Sequence, residues 1–352
     1  MQPIRARLPA IILAGLAGLA FLAPAGMSLA AASPPAADSG ISRDCPTATG
    51  AIPAWQLKGG KSAKKCRLVG RLVTHDGVGV RVPGVGKGVS VQAESASGGA
   101  SLNVRHSPEG VVTAEFEAAE PETPAPEAAA PDAATAATGA TATTTTTDSA
   151  CSMTAYHFNG WTWAPRTAAY FLANASSGLP SNVSGATFLS IQKAAAAHIS
   201  AAYNNCGIVF DPSLTVAYSS TTTSHSNING ATNACGTRDT RNVLDFGSLT
   251  GSTLALNCTW YKYMSGGYSK ITESDTRFDN TSRYWVTTTT GCAGTRYDLL
   301  SVATHEMGHW VGLGHVADSG SNDLTMSAVI APCNASARTL GRGDITALNI
   351  PY

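Results

Sequence analysis

Apolar positions recur at helical spacing in two long stretches of the chain. Leu300, Ala303, Met307, Trp310 and Val311 stand three or four residues apart, which predicts a helix from Leu299 to about Val311. Asp298 is its natural N-cap, and Gly312 suits the C′ position, where a positive φ costs little only for glycine. Phe188, Ile191, Ala195, Ile199 and Ala202 mark a second amphipathic helix over Thr187–Asn204, helped by an alanine run of high helix propensity. A short third helix is expected near Asp344–Leu348. Short alternating or β-branched segments predict strands at Ala169–Ala173, Ile208–Phe210, Leu214–Tyr218, Asn242–Phe246, Thr253–Tyr261 and Arg283–Thr287.

Upstream the pattern is different. Arg67–Val73, Val78–Val82, Val89–Ala93 and Val111–Phe116 are short β-branched runs separated by glycine and Ser/Pro turns, which predicts a small antiparallel β module over residues 31–117. Few of its residues are large and apolar, so a core of its own would be marginal, and a Cys45–Cys66 staple would help hold it. The Ala/Pro/Thr/Glu tract at residues 118–149 cannot bury enough apolar surface to fold and reads as an extended, easily cut linker. The main domain is then 150–352, of α+β class.

The N-terminus resembles an export signal. Arg5 and Arg7 precede an apolar run at 8–23, then small residues that suit cleavage after Ala30 or Ala32. The alternative, an uncleaved membrane anchor, is disfavoured because the run is short for a spanning helix. Eight cysteines, none in a Cys-x-x-Cys pair, fit disulfides in an exported chain and argue against a thiolate metal site; pairing among the last six stays open. Net charge is zero overall, but residues 31–110 carry ten Lys/Arg against five Asp/Glu. Those lysines cluster at Lys58–Lys65 with no aromatic beyond Trp55, which reads as a solvated loop and not a nucleic-acid surface. The expected product is a monomer without stable membrane association after signal cleavage.

Candidate chemistry concentrates in His305-Glu-Met-Gly-His-Trp-Val-Gly-Leu-Gly-His315. His305 and His309 lie one helical turn apart on one face and can hold a metal ion together. Glu306 can act as general base on a water bound to that ion. Gly312 lets the backbone leave the helix so that His315 returns as a third ligand. Three protein ligands with a fourth position open describe a catalytic zinc site, for one ion. His305, Glu306 and His309 should therefore face a cleft.

The spacing His-Glu-x-x-His-x-x-Gly-x-x-His resembles the metzincin signature, and the surrounding segments are similar to matrixins, including bacterial secreted forms. Tyr297–His305, Asn242–Gly247, Thr253–Leu256, Ile271–Asp279 and Leu340–Ile345 carry that likeness, over roughly residues 155–352. It implies a zinc cleft, an edge strand at Thr253–Thr259 that aligns an extended polypeptide, and Met326 in a turn beneath the metal. The apolar stretch Ala328–Pro332 would wall the pocket for the residue after the cut. Departures are clear: Ser327 and Ala328 replace the usual Tyr-Pro, a second zinc set is missing, and neither Cys45 nor Cys66 lies in a cysteine-switch motif. His157, His198 and His225 read as surface or packing residues. Asp239, Asp245, Asp275 and Asp279 could contribute to a calcium site, but their spacing fits no calcium loop.

These features point to a secreted zinc endopeptidase acting on extended protein or peptide substrates. A competing reading is an exported binding or adhesion protein with a vestigial zinc site, its β module borne on the Thr/Pro stalk. Glu306 argues against it, since lost activity would leave no chemical reason for that carboxylate. The β module is a propeptide or a retained accessory domain; the resemblance and the cuttable linker favour the propeptide.

Overall fold

The alternating segments become strands, and most of them join one mixed sheet. The computed structural model describes residues 44–117, 149–164, 166–281, 284–288, 290, 292–316 and 323–352. The expected signal segment lies outside these residues, as does all of the expected linker except Ser149. The first strands are β1 (Ile52–Pro53), β2 (Lys61–Ser62), β3 (Leu72–His75), β4 (Val78–Arg81), β5 (Lys87–Ser95), β6 (Ala100–His106) and β7 (Val111–Glu117). Then come β8 (Trp161–Thr162), β9 (Ala168–Ala173), helix α1 (Gly185–Ser200), β10 (Thr215–Thr221), β11 (Ile228–Asn229) and β12 (Ala234–Cys235). β13 (Val243–Gly247), β14 (Thr253–Lys262), β15 (Ser269–Asp279), β16 (Tyr284–Val286), β17 (Arg296–Asp298), helix α2 (Leu299–Trp310) and helix α3 (Arg342–Leu348) follow.

The large sheet has the order β10-β9-β13-β15-β14-β5-β6-β7-β2, with β8 added beside β15. Its first four strands run parallel; β14 is antiparallel both to β15 and to β5. Helices α1 and α2 cover the parallel part, and Phe188, Ile199, Phe246, Phe278, Trp285, Met307 and Trp310 meet in the core between them. The mixed sheet and three α-helices fit an α+β domain.

The N-terminal strands do not keep a core to themselves. Val89, Val91, Leu102, Val104 and Val112 share one cluster with Leu249, Leu256, Cys258 and Trp260 from much later in the chain. The physical reason is the one foreseen: too few large apolar residues upstream, so the missing half comes from β14 and its neighbours. β4 likewise pairs with β12.

One predicted strand is absent and another begins late. At Ile208–Phe210 the Asn204 side chain holds the backbone in a loop: Oδ1 accepts from the N–H groups of Cys206 and Ile208 at 3.0 and 3.1 Å. At Arg67–Arg71 the chain turns instead, with positive φ at Arg67 and Gly70; only Leu72–His75 is extended. Strand β6 was not foreseen.

Four disulfides pin the fold. Cys45–Cys66 forms as expected, and the open pairings resolve to Cys151–Cys206, Cys235–Cys258 and Cys292–Cys333. Among the described residues, no helix is long and apolar enough to cross a membrane.

Candidate metal centre

Helix α2 is fixed at both ends. Asp298, fully buried, accepts from the Ser301 N–H at 2.8 Å, and Arg338 grips the same carboxylate with Nε and Nη2 at 2.8 and 2.5 Å. Near the other end the Trp310 indole donates to the Ser274 carbonyl of β15 at 3.0 Å. Gly312 then turns the chain with φ +103°, at a place where a Cβ would run into the Trp161 carbonyl oxygen. Residues 157–159 pin the returning segment. The Asn159 N–H donates to Gly312 O at 3.0 Å, its side-chain amide to Leu313 O at 2.8 Å, and the Gly314 N–H to His157 O at 3.0 Å.

This turn carries His315 back over the helix. Ring centroids are 4.5 Å apart for His305 and His309, 4.6 Å for His309 and His315, and 5.2 Å for His305 and His315. Nε2 of His309 stands 3.1 Å from Nε2 of His315. Nδ1 of His305 faces the Thr325 carbonyl at 2.7 Å, and Nδ1 of His309 faces the Leu313 carbonyl at 3.0 Å. A carbonyl oxygen only accepts, so Nδ1 carries the proton in both rings and Nε2 is left with its lone pair. Burial lowers the pKa of His305 to about 4, and those of His309 and His315 fall well below the usual value through burial and then through the nearby His305. These shifts favour the neutral ring, the form that binds metal.

The residues fit a divalent cation. One donor atom from each of His305, His309 and His315 lies within 4.8 Å of the others, and all three side chains are buried. Nε2 of His305 and both carboxylate oxygens of Glu306 are buried without a hydrogen-bond partner among the described residues. Buried polar atoms normally find partners, and three imidazoles with a carboxylate are a set that zinc satisfies.

A supporting chain runs behind the ligands, and its anchor was not read from the sequence. Asp344, on α3, accepts from the N–H groups of Gly341, Thr325 and Met326 at 2.8, 2.9 and 3.1 Å. That fixes the turn whose Thr325 carbonyl orients His305. Met326 is buried beneath the helix, and a Cβ at Gly308 would collide with its sulfur. The glycine is thus needed for the methionine's approach. An acid at the start of the expected third helix, three residues after Gly341, was the available signal.

The cleft is not open in the full chain, contrary to the expectation for His305, Glu306 and His309. All three are at most 1% exposed, because β5 lies along the outer edge of β14 and the turn after it lies over the site. A Cβ on Gly99 would stand 3.0 Å from Cε1 of His315. Glu94, at the end of β5, brings its Oε1 to 3.6 Å from Nδ1 of His305. With His305 neutral this is no ion pair. Burial, then the nearby Glu94, push the Glu306 pKa well up; burial alone does the same to Glu94.

The other singled-out residues are occupied elsewhere. His157 Nδ1 lies 3.1 Å from the His315 carbonyl, His198 binds the Arg338 carbonyl, and His225 meets Asp245. Asp245 takes Ser226 and Arg277; Asp275 takes the N–H groups of Asn227 and Val243; Asp279 takes that of Leu249; Asp239 takes that of Arg241. Among the described residues, these aspartates form no three-ligand cluster.

With this geometry in hand, the likeness to known proteins can be placed on the fold. Residues 259–352 match the model of the matrixin family, a stretch that begins inside β14 and includes β15, α2, the methionine turn and α3. Over that stretch the chain is similar to matrixins, and the match supports a zinc-dependent peptidase. No curated protein matches the chain.

Proposed function

We propose that the protein is an exported zinc endopeptidase. The observation that carries this reading is the convergence of three buried imidazoles, two of them oriented by backbone carbonyls, beside a buried carboxylate, Glu306, that has no hydrogen-bond partner among the described residues. His305, His309 and His315 would hold the ion. Zinc bound there supplies Lewis acidity, polarising a peptide carbonyl and lowering the pKa of bound water to about 7. Glu306 takes the proton from the attacking water and delivers it to the leaving amine nitrogen. Burial around Glu306 raises its proton affinity toward that of such a base.

The substrate is an extended polypeptide. Strand β14 would align it through main-chain hydrogen bonds once that edge is free, and the stretch Ala328–Pro332, with Ile330 buried, favours an apolar residue after the cut. Four disulfides support an oxidising, extracellular address. Glu306→Ala tests the assignment: metal content should be retained while casein hydrolysis is lost. Undiminished hydrolysis by the variant would refute the assigned base.

A further inference from the structure

Cross-strand register sets lysines side by side at one end of the large sheet. Lys262 on β14 stands directly opposite Lys270 on β15 and, on its other side, directly opposite Lys87 on β5. The row continues through His106 on β6 and Val112 on β7 to Lys61 on β2, and no acid falls in it. Residues paired in register share a face of the sheet, with strands about 4.8 Å apart. His106 turns its Nδ1 to the Pro83 carbonyl at 3.0 Å and Val112 is buried. Lys87, Lys262 and Lys270 are exposed, and among the described residues no acid forms an ion pair with any of them.

Like charges directly opposite on neighbouring strands destabilise a sheet. Elsewhere in this sheet cations are answered. Arg277 on β15 stands in register with Asp245 on β13 and binds it, and Arg105 on β6 meets Glu115 on β7. The lysine row departs from that habit, and an external anion seated over it would relieve the repulsion. Its shape is a line: three strands span about 10 Å, which suits a chain of anions better than a flat anionic surface. Beside it the turn between β14 and β15 exposes Met264 and Tyr268, 47% and 43% accessible, with Phe158 set edge-on to the Tyr268 ring at 4.9 Å. A tyrosine offers a flat apolar face and a hydroxyl, a surface that fits a sugar ring between charged groups.

We propose that Lys87, Lys262 and Lys270 form a docking site for an extended polysaccharide that bears sulfate or phosphate groups. The three ammonium groups take successive anions, and Met264 and Tyr268 pack against the sugar between them. Lys87 lies on β5 whereas Lys262 and Lys270 lie in the matrixin-matched stretch, so the row is complete only where β5 pairs with β14. The site uses none of the metal ligands and does not depend on the peptidase reading. It would hold the protein to a charged matrix whatever bond the metal centre cuts.

The test titrates the full chain with dextran sulfate, with uncharged dextran as the reference, over a range of salt. Wild type should bind dextran sulfate and not dextran, with an affinity that falls as salt rises. Lys262→Gln, at the centre of the three, should weaken binding about fivefold, the effect of one cation near an anionic surface. Lys262→Glu should abolish it. Both variants should unfold at a higher urea concentration than wild type, because each relieves the repulsion with Lys87 and Lys270; loss of a merely structural lysine would lower that midpoint. A Lys64→Gln/Lys65→Gln chain, altered in the basic loop outside the row, should bind like wild type. Undiminished binding by Lys262→Gln, an equal loss in the loop variant, or a lower urea midpoint for the Lys262 variants would overturn the proposal. So would tighter binding of phosphatidylglycerol vesicles or of oligothymidine than of dextran sulfate, which would give the surface to a membrane or a nucleic acid.

Discussion

Asp298 and Asp344 are buried as deeply as Glu94 and Glu306, yet the fold surrounds the two pairs differently. Asp298 receives a backbone N–H and a two-pronged arginine; Asp344 receives three backbone N–H groups. Among the described residues, the glutamates receive no partner at Oε2 of Glu94 or at either oxygen of Glu306. Donor-rich carboxylates hold elements together. Donor-starved ones, gathered beside His305, stand where a cation and chemistry are expected. The contrast separates structural from functional acids without reference to any relative.

Substitutions can break or sharpen that contrast. The largest effect belongs to Glu306→Ala, which should lower peptide hydrolysis about 10²–10⁴-fold while leaving the fold intact; steady-state kinetics measure it. Asp298→Ala should act on stability instead, because it strands the Arg338 side chain and uncaps α2. A loss of about 3–5 kcal/mol in urea denaturation is expected. Asp344→Asn places an amide N–H against backbone donors and loosens the Thr325 carbonyl behind His305. Zinc affinity should drop about 10–100-fold in chelator competition. Glu306→Gln in metal-free protein should cost little or no stability, since the charge it removes was never compensated; an appreciable loss would blur the division.

The smallest effect is a titration. Burial lowers His305 to about 4 in the folded chain, whereas an unfolded histidine titrates near its usual value of about 6.5. Between those values the unfolded chain holds more protons. This ring's contribution to stability therefore declines as pH falls from about 6.5 toward 4. Proton NMR of metal-free protein should find His305 neutral at about pH 5.5.

The metal helix was legible because its chemistry sits in fixed local spacing: His305, Glu306, His309, the turn at Gly312 and His315 fall within one helix and its exit. The Asp298 cap and the core faces of both long helices were legible for the same reason. Ile208–Phe210 misled because an upstream asparagine captured its backbone, a local competition that apolar pattern does not register. The pairing of β5 with β14 was out of reach. Register between strands separated by more than 150 residues is set by shared burial, not by spacing. Glu94 did leave a trace, a single charge in an otherwise uncharged β stretch, but without the pairing nothing connected it to His305.

Elemental analysis of the purified full chain bears most directly on the central claim, that three imidazoles grip one catalytic ion. Wild type and Glu306→Ala should each carry about one zinc, and His309→Ala should carry almost none. Zinc-free wild type, or a His309→Ala chain with undiminished zinc, would contradict it.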